Sequence, residues 1–500
     1  MSDTDVSPTV ALPRPVADDE LPDDIPTPAP EPQVGLGVWV RAVAVVLFCV
    51  VVYAPSYADH VVDAFAGSRA AYLVVLPVLA ILIATGYRTA SHGVGDGESD
   101  WIVAALIGIL GLAAIHLLVA RMPTLSAWWR LESLSVLVWA VCSVTILFGM
   151  RQVLQMWPLW LFLTSFATPV PYLAATAALG GTPTDAGLPA AAIGATAVYL
   201  ATRGIPPQRR LLAAAVSFAA GAVLALSCAE WFLPMVIVAA GVVPVLVVIG
   251  TRLAPTREIS PTTDRPIGDG IPHRSARTLG FLASVTAILA AAGLHSPEPS
   301  VLRSMPRDWA ASSDLKPVES FDFATRFAGP GATLIRYAVP AAQGMPSAAV
   351  DVLSTPNKAV LEDLSDVVWY PSARPVNYRA VAFSASIPAG ARSLQSDADK
   401  AADASGRDWY ALTWNQRSGA VFQQITVIVS QSLADDQAPP APQAPDLLDD
   451  SVGSWLWMSR QQPQGVEHVD PLVKNRAIAL AAAINGVAGT PSSGSKHSND

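Results

Sequence analysis

No lysine occurs between Gly35 and Leu294, and the five in the chain (Lys316, Lys358, Lys400, Lys474 and Lys496) all follow that stretch. Charge is scarce altogether: 14% of the 500 residues are charged and 52% are hydrophobic, where soluble domains carry about 25% charged residues. That balance excludes an ordinary soluble protein. No basic surface is present either, which sets nucleic acid aside as a partner. Cysteine is limited to Cys49, Cys142 and Cys228, all in apolar stretches, so nothing after residue 294 can be held by disulfides. The chain also lacks a P-loop, a dinucleotide fingerprint, zinc-ligand spacing and a serine-hydrolase elbow. Neither a cofactor nor a metal is expected.

What is present falls into regions suited to different surroundings. Residues 1–34 hold eight acids against one arginine and the run Pro26-Thr27-Pro28-Ala29-Pro30-Glu31-Pro32. Such a segment lacks the apolar mass to offset chain entropy and reads as a disordered cytoplasmic tail. Residues 35–294 hold nine apolar segments, at roughly 36–54, 70–87, 101–120, 131–149, 154–174, 188–201, 211–230, 233–250 and 278–294. A helix needs about 20 apolar residues to cross a bilayer, and the sixth segment is short at fourteen. The fifth contains Trp157-Pro158 and Thr168-Pro169-Val170-Pro171, which predict a kinked or partly re-entrant helix.

Arginine gives the orientation. With the N-terminus inside, the inner loops collect Arg41, Arg88, Arg151, Arg203, Arg209, Arg210, Arg252, Arg257, Arg265, Arg274 and Arg277, against Arg69, Arg121 and Arg130 outside. Eleven against three obeys the positive-inside rule. The expected fold is therefore a polytopic α-helical membrane domain of about nine transmembrane helices in the plasma membrane, its partner the lipid bilayer. An extracytoplasmic α+β domain follows over 295–489, then a Ser/Gly-rich tail from 490. In that domain 332–339, 348–354, 366–370 and 376–384 are strand-like. The clearest hairpin is Asp408–Trp414, a Ser418-Gly419 turn and Val421–Val429. Asp470–Val487 is a closing amphipathic helix, and Ala434–Pro445 is a proline-rich excursion.

Candidate chemistry concentrates on the outer face. The two crossings within Leu211–Gly250 meet at Ser227-Cys228-Ala229-Glu230-Trp231-Phe232-Leu233-Pro234, a hinge that is either a structural turn or the seat of a nucleophilic thiol. Glu230 disfavours the thiolate. His295, at the end of the ninth segment, could meet Cys228; His60, in the first outer loop, is the other outward histidine of the region. Arg69, Arg121 and Arg130 are outward cations that either hold a substrate carboxylate or phosphate or snorkel to lipid. Asp59 and Asp63, in the same loop as His60, stand where glycosyltransferases that use polyprenyl-phosphate sugars place an acidic base or metal ligand. The aromatics Trp309, Trp369, Tyr370, Trp409 and Trp414 form either a core or a groove for glycan or lipid.

Several stretches resemble the exosortase/archaeosortase family of multispanning membrane transpeptidases. Ser68-Arg69-Ala70-Ala71-Tyr72-Leu73-Val74-Val75-Leu76-Pro77 is similar to the loop entering an early helix of that family. Gly149-Met150-Arg151, Trp157-Pro158-Leu159-Trp160-Leu161-Phe162-Leu163 and Pro169-Val170-Pro171 resemble its glycine, proline-leucine and proline-x-proline run. The segment 278–294, then Leu302-Arg303-Ser304-Met305-Pro306-Arg307-Asp308-Trp309 and Ile335-Arg336-Tyr337, resembles the extracytoplasmic domain often fused to exosortases. The resemblance implies Cys228 as nucleophile and a sorted membrane protein as partner. The sequence departs from the family's alanine-cysteine-serine-glycine context, and His295 and Arg303 would have to replace a histidine and arginine that normally follow the cysteine on later helices.

Three functions stay open on this reading. One is exosortase-like, cysteine-dependent processing or sorting of an envelope substrate. The second is transfer of a sugar from a lipid-linked glycan through Asp59 or Asp63. The third is a non-catalytic scaffold for envelope assembly.

Overall fold

The structure is a computed structural model that describes residues 37–87, 97–253, 276–293, 302–339, 344–372, 376–382, 387–396, 408–432, 438–445 and 469–487. The acidic tail, His295, the Ser/Gly-rich tail and Arg88, Arg257, Arg265 and Arg274 lie outside the described residues.

Each of the nine apolar segments contains helix among its described residues. The first is α1 (Val38–Phe65). A 3-10 turn, Ala71–Val75, leads into α2 (Leu76–Ala84). The third and fourth are α3 (Gly97–Arg121), followed by the short α4 (Pro123–Trp129), and α5 (Leu134–Phe148), followed by α6 (Met150–Gln155). The fifth is broken into α7 (Trp157–Phe166) and α8 (Val170–Leu179), bent by 64°. Then come α9 (Pro183–Ala201) and α10 (Pro207–Ser227). The eighth is α11 (Phe232–Ile237), a π-turn at Val238–Val242 and α12 (Val243–Leu253); the ninth is α13 (Ala276–Gly293). Among the described residues five helices are long and apolar enough to cross a membrane, or six if the bent pair is one span. The stretches 71–84 and 276–291 are apolar but shorter, so the helical region is compatible with a membrane at a coarser count than nine.

Two segments differ from their expected limits for identifiable reasons. α1 does not stop at residue 54 but continues through Pro55 to Phe65, so Asp59 and Asp63 stand on its last turns and not in a loop. Those polar turns are held by neighbours: the Tyr57 hydroxyl donates to the Val74 carbonyl at 2.8 Å, and Tyr53 and His60 meet at 3.0 Å. α9 begins at Pro183, ahead of its apolar run, because Thr182 and Asp185 form a reciprocal capping box.

α9 is the buried centre of the helical region, and small residues make that possible. A Cβ on Gly187 would lie 2.5 Å from the Ala225 methyl, one on Gly221 2.6 Å from the Ala191 methyl, and one on Gly194 2.6 Å from the Pro244 ring. α10 turns Ala213, Ser217, Gly221 and Ala225 inward. Close backbone approach through small side chains is how helices pack where no water drives them together. At the break between α7 and α8, the Tyr72 hydroxyl reaches the Phe166 and Thr168 carbonyls at 2.9 and 3.0 Å, satisfying groups that the proline bend frees.

Successive segments run between two ends. At one end Arg252 donates to Thr85, Arg203 covers the Tyr87 ring, and Arg41 donates to the Leu147 carbonyl. At the other, the turns after α1, α4, α8 and α10 come together beneath the C-terminal domain.

That domain is one eight-stranded sheet. Its strands are β1 (Arg303–Met305), β2 (Lys316–Ser320), β3 (Thr333–Ala338), β4 (Ala348–Thr355), β5 (Arg379–Ala380), β6 (Arg392–Gln395), β7 (Trp409–Ser418) and β8 (Val421–Ser430). The order is β2-β3-β4-β8-β7-β6-β5, antiparallel throughout, with β1 pairing parallel to the end of β7. β7 and β8 are the expected hairpin, closing from Ser418 to Val421 through Gly419 at φ 61°. Of the other strand-like patches, 333–338 and 348–355 are strands, 366–370 is irregular, and only Arg379–Ala380 is a strand within 376–382.

Side chains alternate across the sheet. Val350, Val352, Tyr410, Leu412, Trp414, Ile425 and Val427 face the closing helix α17 (Pro471–Val487), through its Val473, Ala477, Ala481 and Ile484. On the opposite face, Leu334, Leu353, Trp409, Ala411 and Ile428 pack with α15 (Phe323–Ala328) and α16 (Lys358–Asp363). α14 (Trp309–Ser312) is a single turn after β1. Trp128 and Val170 of the helical region enter the same core as Ala324 and Ala328, so the two regions share apolar packing. The five aromatics considered for a glycan groove are all at most 7% exposed; they are core.

Candidate functional site

The densest polar constellation lies where the sheet domain meets the helix ends. Its centre is Asp363, the last residue of α16, whose side chain is 4% exposed. A carboxylate at a helix C-terminus gains nothing from its own helix dipole. Its partners come from the other region. The Ser68 hydroxyl donates to Oδ2 at 2.7 Å, the Arg69 backbone N–H donates to the same oxygen at 2.8 Å, and Arg130 Nη2 donates to Oδ1 at 2.8 Å. Burial pushes the Asp363 carboxyl up from the ordinary aspartate value, while Arg130, the Ser68 hydroxyl and the Arg69 amide draw it back, leaving it raised.

Local backbone geometry sets up these donors. Gly67 has φ 89°, and a Cβ there would fall on the Asn357 side-chain amide. Asn357 is the N-cap of α16, accepting from the Ala359 N–H at 2.9 Å. Arg130 caps α4 in the left-handed conformation, φ 50° and ψ 45°, which is uncommon outside glycine. From there its second amino group, Nη1, meets His60 Nδ1 at 3.1 Å. His60 Nε2 lies 3.0 Å from the Tyr53 hydroxyl, which is 3.2 Å from Ser133 Oγ. An unbroken chain thus runs from Ser133 through Tyr53, His60 and Arg130 to Asp363 and Ser68.

Arg69 is used differently. It is buried, with Nη2 donating to the Gly181 carbonyl at 2.7 Å, Nε donating to the Ala328 carbonyl at 3.4 Å, and its guanidinium 5.7 Å from the centre of the Phe232 ring. Gly329, at φ 91°, leaves the space that the guanidinium fills. One side chain therefore ties the α8–α9 turn, the α10–α11 turn and α15 together. Further along the junction the Tyr378 N–H donates to Thr124 Oγ1 at 2.7 Å, and the Asn377 side chain donates to the Arg121 carbonyl at 3.4 Å.

The expected site residues are not gathered into one centre. Cys228 is exposed at the α10–α11 hinge, and among the described residues its Sγ makes no hydrogen bond to a base or cation. Arg303 lies on β1 and donates to Asn485 of α17, within the sheet domain. Asp59 is exposed and Asp63 half-buried near Arg130 and Asp363; among the described residues no group of three His, Cys, Asp or Glu side chains could hold a metal. Of the outward arginines, Arg69 and Arg130 are both engaged by the chain itself, and Arg121 is exposed at the end of α3. Asp363, Tyr53 and Ser133 carried no signal in the sequence: Asp363 sits in an unremarkable Leu-Glu-Asp-Leu run, and its partners are more than two hundred residues away.

Fold and junction together define a polytopic helical protein, compatible with a membrane, that carries an antiparallel sheet domain locked onto one end of its helices. No protein-family model, curated protein or solved structure matches this chain.

Proposed function

We propose that the chain is a multi-pass plasma-membrane protein of the bacterial cell envelope that presents its sheet domain outside the cytoplasm as a rigid, non-catalytic assembly scaffold. The observation that carries this reading is the fate of the outward cations. Arg69 and Arg130, the groups best placed to receive a substrate carboxylate or phosphate, are instead spent on Gly181, Ala328, His60 and Asp363. The orientation is supported by Arg41, Arg203 and Arg252, which cluster at the end away from the sheet domain. Cells lacking the chain should regain a normal envelope when given Cys228→Ser or the double variant Asp59→Asn/Asp63→Asn, and should fail with Asp363→Ala, which undocks the domain. Loss of function in either of the first two, with insertion intact, overturns the scaffold reading.

A second reading, exosortase-like processing through Cys228, is favoured by one observation. The thiol is exposed on the hinge whose Phe232 packs beneath Arg69, on the face that carries the sheet domain. It requires that Cys228→Ser block maturation of a partner bearing a C-terminal sorting helix.

A further inference from the structure

The bond between Arg130 and His60 dictates a protonation state. Arginine has only donors, so His60 Nδ1, 3.1 Å from Arg130 Nη1, must offer its lone pair. The ring proton then resides on Nε2 and is donated to the Tyr53 oxygen, and the Tyr53 hydroxyl is free to donate to Ser133. Every polar hydrogen in this chain has an acceptor only while His60 is neutral.

A proton added at Nδ1 reverses that arrangement. Two donors and two positive charges then face each other at hydrogen-bond distance, and one must move. His60 is fixed by α1 and the Tyr53 ring, 5.9 Å from its own centre. Arg130 is the partner with freedom, and its other amino group makes the ion pair to Asp363 that, among the described residues, joins the helical region to the sheet domain. His60 faces Tyr53 on α1, which in turn bonds Ser133 on the turn before α5, and Arg130 at the end of α4. The nearby carboxylate Asp63, on α1, feels Arg130, Asp363, Glu362 and Asp59. Asp363 is taken by Arg130, Ser68 and the Arg69 amide.

We propose that His60 is an acid-sensitive latch: neutral, it holds Arg130 on Asp363 and the sheet domain docked; protonated, it repels Arg130 and loosens the junction. The undocked state binds one proton more than the docked one, so docking weakens as pH falls. This goes beyond the scaffold reading and does not depend on what the docked domain does.

The Arg69 backbone N–H reports on the latch directly, because it donates to Asp363. Full-length protein in lipid nanodiscs is taken from about pH 7.5 to about pH 4.5, the range over which histidine changes charge, and amide exchange is expressed as a protection factor, corrected for the intrinsic rate. In the unmodified protein, protection at Arg69 should fall about tenfold for each pH unit below the transition, while the helix-end amides of Thr85 and Gly86 at the opposite end hold theirs. His60→Gln can accept from Arg130 and donate to Tyr53 without ionising, and should abolish the acid limb. If that variant fails to insert, His60→Leu serves, with the same expectation. An acid limb of equal midpoint and size in the variant would assign the effect to carboxylate protonation at Asp363 and overturn the proposal, as would protection that does not change with pH in the unmodified protein.

Discussion

Arg130 and Asp363 meet at 2.8 Å although 233 positions separate them in sequence. One belongs to the helical region and the other to the sheet domain, and neither has an alternative carboxylate or guanidinium partner at bonding distance among the described residues. The sheet domain is therefore bonded to the helical region and not merely tethered to it.

Removing one partner should cost far more than the pair contributes. Asp363→Ala leaves Arg130, the Ser68 hydroxyl and the Arg69 amide without their shared acceptor, and should destabilise the docked state by about 3 kcal/mol. Asp363→Asn keeps an acceptor oxygen and should cost less. Limited proteolysis of full-length protein, read at the junction 323–329, separates the two variants.

Gly329→Ala should also open the junction. Its φ of 91° is unfavourable for any side chain, and the new methyl group would occupy the Arg69 guanidinium site. The expected loss is about 1–3 kcal/mol. Gly390→Ala also has positive φ, at 73°, but nothing within 4 Å, and should cost only the backbone term. Thermal unfolding of the two variants side by side measures the contribution of the Arg69 contact.

Within the sheet, Arg336 holds Asp351 by two bonds of 2.8 and 2.7 Å. It also donates to the Pro439 and Pro440 carbonyls at 3.1 and 2.7 Å. The Tyr370 hydroxyl donates to the same Asp351 at 2.8 Å, and burial together with that carboxylate raises the phenol well above its ordinary value. Lysine cannot reproduce this fork. Arg336→Lys should release the proline strap 438–445 and cost about 2–4 kcal/mol, seen as lost amide protection at Gln443, whose N–H donates to the Trp369 carbonyl at 2.7 Å.

Cys228 is the exposed thiol; Cys142 is buried and Cys49 partly so. A membrane-impermeant maleimide should label about one site per chain from the side bearing the sheet domain, because only an exposed thiol reacts readily. Cys228→Ser should remove the label and leave unfolding unchanged. Labelling from the opposite side would reverse the proposed orientation.

The elements that could be seen in the sequence were those whose signal is local. The β7–β8 hairpin announces itself through β-branched and aromatic alternation around Ser418-Gly419, and α17 through its spacing of apolar residues. The grouping of arginines anticipated which turns share an end. Where the local signal differs from the structure, tertiary contacts overrule it: the first apolar segment ends at residue 54, but the bonds made by Tyr53, Tyr57 and His60 carry the helix on to Phe65, about three turns further. The junction itself was invisible. Ser68 and Arg69 lie in a stretch that resembles a known loop and Arg130 carries an outward charge, yet nothing near Asp363 in sequence marks it as their common partner.

The burial of α9 bears on how the protein is made. With Gly187, Ala191 and Gly194 pressed against α10 and α12, this helix offers lipid little of what a bilayer requires, and it is not among those long and apolar enough to cross alone. A segment of this kind cannot partition from the translocation machinery into lipid as an independent unit. In a bilayer it would have to enter with its neighbours, so the sequence downstream, α10 to α12, would have to be synthesised before the segment upstream of it is settled. The order of synthesis and the order of insertion would then diverge at α9, and slowing translation just after Ala201 should leave that helix exposed to proteolysis.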